Sequence, residues 1–160
     1  MSSSSEPVVD SLLQALVFGG IGVFTGVALY VTVVEHPARL RIAKSDTPAA
    51  LRQWNEGFGT AAKIQGSLAV ATAAASGFLA VKSGVLYPYG FTGLLMGGIA
   101  AFTLVVISPV ITRLYAAVEK KTDVTDEAVR DLLTRWGRLH SVRTVVSVTS
   151  LAILLYSKFF

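Results

Sequence analysis

The sequence predicts an all-α membrane protein: a four-helix transmembrane bundle with short interfacial helices in its two long loops. Three observations carry this. Only 15% of the 160 residues are charged while 52% are hydrophobic, and the mean hydropathy is +0.61; a soluble domain of this size usually carries about 25% charged residues. The apolar residues fall into long uncharged runs instead of alternating with polar ones. Finally, every Lys and Arg except Lys82 and Lys158 lies in segments that four spans would bring to one side of a bilayer.

Taken in order, residues 1–10 read as a flexible, Ser-rich tail, and residues 11–160 as a single four-span membrane domain. The tail lacks the basic start and small-residue cleavage site of a secretory signal, so the first apolar run is read as a retained span. That span covers about residues 12–34, and ~20 helical residues suffice to cross the hydrocarbon core. Gly22 and Gly26 within it have the small-xxx-small spacing that lets membrane helices approach closely. Asp46, Thr47 and Pro48 then form a helix start, with a capping residue ahead of a proline. It predicts a short interfacial helix through Leu51 and Trp54. The second span, about 63–82, places Ala69, Ala73 and Gly77 at the same small-residue interval. A turn around Tyr87, Pro88, Tyr89 and Gly90 leads into the third span, about 91–112, where Gly93 and Gly97 repeat the motif. Thr125 followed by Asp126 and Glu127 starts another helix, on which Val129, Leu132, Leu133 and Trp136 recur at helical spacing. The fourth span, about 138–158, completes the bundle.

The positive-inside rule puts the two long loops in the cytosol and both termini on the other side of an integral, multi-pass protein. This topology accounts for the pI of about 9.6, so no nucleic-acid partner is expected; the bilayer is. Absence of cysteine excludes disulfides, thiolate nucleophiles and cysteine-ligated metal sites. The Gly-rich stretch at 19–26 is no dinucleotide fingerprint, because Thr25 stands where the last glycine would fall and no βαβ unit surrounds it. No nucleophile elbow is present. The glycine-rich faces suit internal packing and homo-oligomer formation equally.

Two histidines remain, His36 after the first span and His140 at the start of the fourth. Both belong to the same membrane face. If Lys158 marks the far interface, His140 lies roughly 3 Å and Arg143 roughly 7 Å inside the apolar layer at 1.5 Å per residue. Ionisable groups at that depth usually face the bundle interior and mark functional sites, although a long arginine stem can also lift its head to the interface. Trp136, His140 and Arg143 share one helix face, and Glu35, His36 and Arg39 stand across the bundle. Several readings are open at this point. The set suits acid/base and oxyanion chemistry. A purely structural Glu35–Arg143 ion pair explains the same carboxylate and guanidinium. Two imidazoles and a carboxylate also resemble a non-haem iron ligand set, but without HxxxH or Glu-x-x-His spacing. Trp54, Trp136, Tyr87 and Tyr89 are most simply interfacial anchors.

The combination of Glu35-His36-Pro37-Ala38-Arg39 after the first span, Phe102 through Ser108-Pro109 closing the third, and Trp136, His140 and Arg143 opening the fourth resembles the DUF1772, or anthrone oxygenase-like, family. The likeness extends from the first span to the last. Members often carry asparagine two positions after the third-span proline, where this chain has Ile111. The resemblance implies a four-helix membrane fold and, in the better-known fungal members, oxidation of a polyketide anthrone to an anthraquinone with dioxygen and no evident organic cofactor. Carried onto this chain, it implies His140 or His36 as base, Arg143 as partner of the substrate anion and Glu35 as orienting carboxylate. Trp136, Tyr30, Trp54 and Arg39 would contact a hydrophobic aromatic molecule, with dioxygen as co-substrate. The competing readings are a non-catalytic membrane module, which binds a hydrophobic metabolite or lipid or scaffolds a partner, and a metal-dependent oxidoreductase.

Overall fold

A computed structural model describes residues 6–120 and 124–159. The chain is all-helical, with no strand among these residues. In order it forms α1 (Glu6–Tyr30), a π segment (Val31–Glu35), α2 (His36–Ser45), α3 (Thr47–Ser83), α4 (Tyr89–Phe102), a second π segment (Thr103–Ile107), α5 (Ser108–Val118) and α6 (Asp126–Phe159). Helix runs across the π segments, so four stretches are long and apolar enough to cross a membrane: Val8–Ser45, Thr47–Ser83, Tyr89–Val118 and Asp126–Phe159. Each contains one predicted span. Of the expected N-terminal tail, residues 1–5 lie outside the described residues, while residues 6–10 belong to α1.

The expected interfacial helices do not stand apart from the spans. The predicted start at Asp46 holds, since its Oδ1 accepts the Ala49 N–H at 2.8 Å, but the 37-residue α3 then runs unbroken to Ser83. Likewise Thr125 Oγ1 accepts the Ala128 N–H at 3.3 Å, and the 34-residue α6 continues through the amphipathic stretch into the fourth span. No proline lies beyond the first turn of either helix to force a break. The turn between α3 and α4 spans 84–88, starting earlier than expected and leaving Tyr89 and Gly90 in α4; Gly84 opens it at φ +68°, a conformation that L side chains rarely adopt.

Both π segments end two residues before a proline. Pro37 and Pro109 sit inside continuous helix, where a proline has no N–H to donate and its ring collides with the carbonyl one turn back. Widening the preceding turn relieves this. His36 N–H reaches back to Val31 O, and Ser108 N–H to Thr103 O, in place of the ordinary α-helical bond.

The chain divides into two compact units, each drawing on all four long helices. The loop unit comprises Val27–Ile64 and Ala101–Thr144. Its core is aromatic and aliphatic: Trp54, Ile107, Leu114 and Leu133 are almost fully buried, with Val31, Leu51, Val129 and Trp136 beside them. The terminal unit comprises Met1–Gly26, Gln65–Ala100 and Val145–Phe160. Here small residues set the packing. A Cβ at Gly93 would lie 3.2 Å from Ala73 O and 3.3 Å from Gly77 N, so α4 meets α3 backbone to backbone as its spacing predicts. On α1 the predicted pair is not the contact. Gly22 and Gly26 face open space, and it is Gly20 that receives a neighbour, the Thr72 hydroxyl. Large apolar residues lie on the outside of both units, among them Val81 (83% exposed) and Leu104 (75%), the inverse of a water-soluble surface and the pattern suited to lipid.

Candidate functional site

The loop unit holds every predicted site residue, and all but one converge. The π segment and α2 present Glu35, His36 and Arg39; α3 contributes Trp54; α6 contributes Trp136, His140 and Arg143. His36, Arg39, His140 and Arg143 are all buried, Arg39 to 2% exposure. Burial of so many cationic or protonatable groups on apolar helices is costly, and it is tolerated where they find partners or face a polar interior.

Trp136 is the centre of the cluster. His140 stacks on its ring at 5.2 Å, and His36 meets it edge-on at 5.4 Å. The Arg39 guanidinium lies over the same indole, 5.6 Å from the centroid, a cation–π contact strengthened by desolvation. Trp54 packs nearly perpendicular to Trp136 at 6.2 Å. Arg143 and Arg39 both lie near enough to His140 to act on it electrostatically, as does His36. Helix spacing explains the α6 contribution: Trp136, His140 and Arg143 fall on one face.

Glu35 pairs with Arg39, one turn along its own helical stretch, a partner not weighed from sequence. The carboxylate is only partly buried and lies beside Gly57 of α3, where a Cβ would be 3.7 Å from its Oε1. Several polar atoms of the cluster have no hydrogen-bond partner among the described residues: His36 Nδ1, both ring nitrogens of His140, Arg39 Nε and Nη1, and Trp54 Nε1. The Ala28 carbonyl acts on His140 electrostatically without a bond of ordinary geometry to either ring nitrogen; that carbonyl accepts the Thr144 hydroxyl at 3.2 Å. Several donors and an acceptor are therefore buried together in the cluster. No three His, Cys, Asp or Glu side chains gather as a metal-binding group among the described residues.

Tyr30 is the exception. It is 57% exposed, on the same outward side as Val33 and Val34, and forms no wall of this cluster. In its place the structure supplies rings that sequence reasoning missed. Phe58 stacks on Trp54 at 4.8 Å, and Tyr115 meets Trp54 at 5.3 Å. Phe58 had a signal, one turn beyond Trp54; Tyr115 sits among apolar residues that look alike. Gly137 was also missed. The His36 imidazole lies where its Cβ would be, so only glycine lets α2 bring the ring against α6. Thr32 and Thr144, hydroxyl to hydroxyl at 2.8 Å, tie the same two helical stretches one turn away. Ile111 packs against the apolar core that includes Trp54 and Trp136.

Fold and site together define an all-helical protein, with four helices able to cross a membrane, that buries imidazole and guanidinium groups against a wall of aromatic rings. The chain belongs to the anthrone oxygenase family, whose model matches residues 54–153. The matched part contains Trp54, Trp136, His140 and Arg143, while Glu35, His36 and Arg39 precede it. No curated protein and no solved structure is significantly similar to the chain.

Proposed function

We propose that this protein is a membrane-embedded oxygenase that oxidises an anthrone-like polyketide to the quinone with dioxygen. The observation that carries the reading is His140, buried against the face of Trp136 with two guanidinium groups nearby.

The central methylene of an anthrone is acidic because its conjugate base is an aromatic phenolate. His140 accepts that proton, with His36 as the neighbouring imidazole. Arg143, together with the unbonded N–H groups of Arg39, stabilises the oxyanion; such preorganised donors lower the barrier where the charge develops. Glu35 orients Arg39. The rings of Trp136, Trp54, Phe58 and Tyr115 suit a flat apolar substrate. The carbanion gives an electron to dioxygen, and the two radicals combine into a C–O bond. Protonation yields a hydroperoxide at the former methylene, which loses its remaining C–H proton and the distal oxygen as water, leaving the second carbonyl. One dioxygen is consumed, one oxygen atom enters the product and one leaves as water. The substrate supplies all the electrons, so the reading calls for dioxygen as co-substrate and for no organic cofactor.

In this reading the hydrophobic substrate is taken from the bilayer, the long loops are cytosolic and both termini face the opposite side. The scaffold alternative loses its main support in the loop unit: Val129, Leu133 and Trp136 turn into the protein's own core instead of offering an apolar face to a partner. The test is oxidation of a model anthrone by His140→Ala and His36→Ala proteins that still insert and fold. Wild-type rates in both would end the proposal.

A further inference from the structure

A cavity of about 500 Å³ lies between α5 and α6 in the loop unit, and its lining includes none of the residues assigned to oxidation. Its apolar wall includes Ala116 of α5 and Ala128 and Leu132 of α6. Three charged side chains share it: Arg113 of α5, and Asp131 and Arg135 of α6. Small-molecule sites have this character, with volumes of roughly 300–1,000 Å³, mostly apolar walls and a few convergent polar groups.

These charges are unpaired where others in the chain are paired. Arg39 bonds Glu35, Arg130 donates to Thr47 Oγ1 at 2.9 Å, and Lys82 holds Asp10 at 2.7 Å. Asp131 stands four residues before Arg135, the spacing of a helical ion pair. Even so, Arg113, Asp131 and Arg135 have no ion-pair partner among the described residues. Two guanidinium groups and a carboxylate are thus left facing an apolar-walled space.

We propose that this cavity binds the headgroup of a zwitterionic phospholipid, its phosphate toward Arg113 and Arg135 and its ammonium toward Asp131. Chain order sets the polarity. Leu104 and Val105 of the second π segment and Val142 of α6 are exposed on the apolar, lipid-suited surface of the same unit. Arg113 follows the first two, and Arg135 precedes Val142 by seven residues on the same helix face, about 10 Å along the axis. A long arginine stem covers much of that distance and reaches the headgroup layer, about 5–7 Å thick on each side of a bilayer. Asp131 lies about 6 Å further from the apolar surface along α6. Both charges of the headgroup therefore have a counterpart, in the right order from the membrane outwards. Guanidinium groups suit the paired oxygens of a phosphodiester. The apolar wall suits N-methyl groups, which need no hydrogen bonds, so choline fits. A headgroup with a second anion would meet Asp131, and a glycerol headgroup would leave that carboxylate without a cation. The inference stands apart from the oxidation chemistry.

The experiment is native mass spectrometry of the full chain released from detergent micelles, with phosphatidylcholine or phosphatidylglycerol added at equal concentration. One phosphatidylcholine is expected to stay bound per chain, at several-fold higher occupancy than phosphatidylglycerol. Asp131→Asn should remove that preference. Arg113→Gln combined with Arg135→Gln should lower phosphatidylcholine retention several-fold, and Lys158→Gln, in the terminal unit, should change neither lipid. Higher occupancy by phosphatidylglycerol would reveal an unspecific basic surface and overturn the proposal. So would an unchanged preference in Asp131→Asn, or equally low retention of both lipids, which would leave the cavity to another occupant such as a protein segment. The wild-type comparison needs no substitution and decides the matter even if a variant fails to insert.

Discussion

The loop unit and the terminal unit are built from stretches of the same four long helices, yet their interiors differ in kind. The loop unit buries His36, Arg39, His140 and Arg143 among large aromatic rings. The terminal unit buries no Asp, Glu, His, Lys or Arg among the described residues; its interior combines aliphatic side chains, Phe24 and Met96 with Ala and the hydroxyls of Ser and Thr. Both π segments and both in-helix prolines also belong to the loop unit. The difference teaches that helix count and hydropathy describe the scaffold, while the site is set by a few residues that violate it: buried charge, helix-interior proline, and a glycine under an imidazole. π-Bulges are frequent at functional sites, and here each ends two residues before a proline, ahead of His36-Pro37 in one case and Ser108-Pro109 in the other.

If the loop unit alone carries chemistry, substitutions there should break activity and equivalent ones in the terminal unit should not. The largest effect is expected for His140→Ala, which removes the proposed general base; turnover of a model anthrone should fall about 100- to 10,000-fold with the helical content intact. Arg143→Gln should cost about 100- to 1,000-fold in turnover by removing one oxyanion partner, measured on protein that still inserts. Next comes Gly137→Ala. Its methyl group meets the His36 ring, so overpacking should cost about 1–3 kcal/mol, read as a lower thermal midpoint. Gly22→Ala and Gly26→Ala, which meet open space in the terminal unit, should change stability by no more than about 0.5 kcal/mol. The smallest effect is expected for Tyr30→Leu: the residue is outward-facing, and stability should again stay within about 0.5 kcal/mol with oxidation unaffected. A large loss of activity in that variant would move the substrate to the lipid-facing side of α1.

Much of this was legible in the sequence because it rests on local rules. The spans follow from uncharged runs, and the helix starts at Asp46 and Thr125 follow from capping chemistry. The gathering of His36, His140 and Arg143 follows from four-span topology and helix spacing. What was not legible depends on rotation and partner choice. Tyr30 and Gly22 lie on helices that are apolar on every side, so hydropathy carries no signal for which side faces inward. Choosing Gly20 over Gly22 as the contact needs the neighbouring helix. The Glu35 carboxylate has a partner one turn away in Arg39, a local pairing at helical spacing. The interfacial helices merged with the spans because an amphipathic helix that meets a transmembrane one in phase needs no break.

The central proposal, that the buried imidazole and guanidinium groups of the loop unit promote oxidation of an anthrone by dioxygen, is most directly tested by oxygen uptake. Purified full-length protein in lipid vesicles would be given a model anthrone, and dioxygen consumption followed alongside quinone absorbance, for the wild type and for His140→Ala. The account predicts one dioxygen consumed per quinone formed, well above the uncatalysed rate, and near-complete loss in the variant. Equal rates for the two proteins, or a wild-type rate no faster than protein-free vesicles, would contradict it.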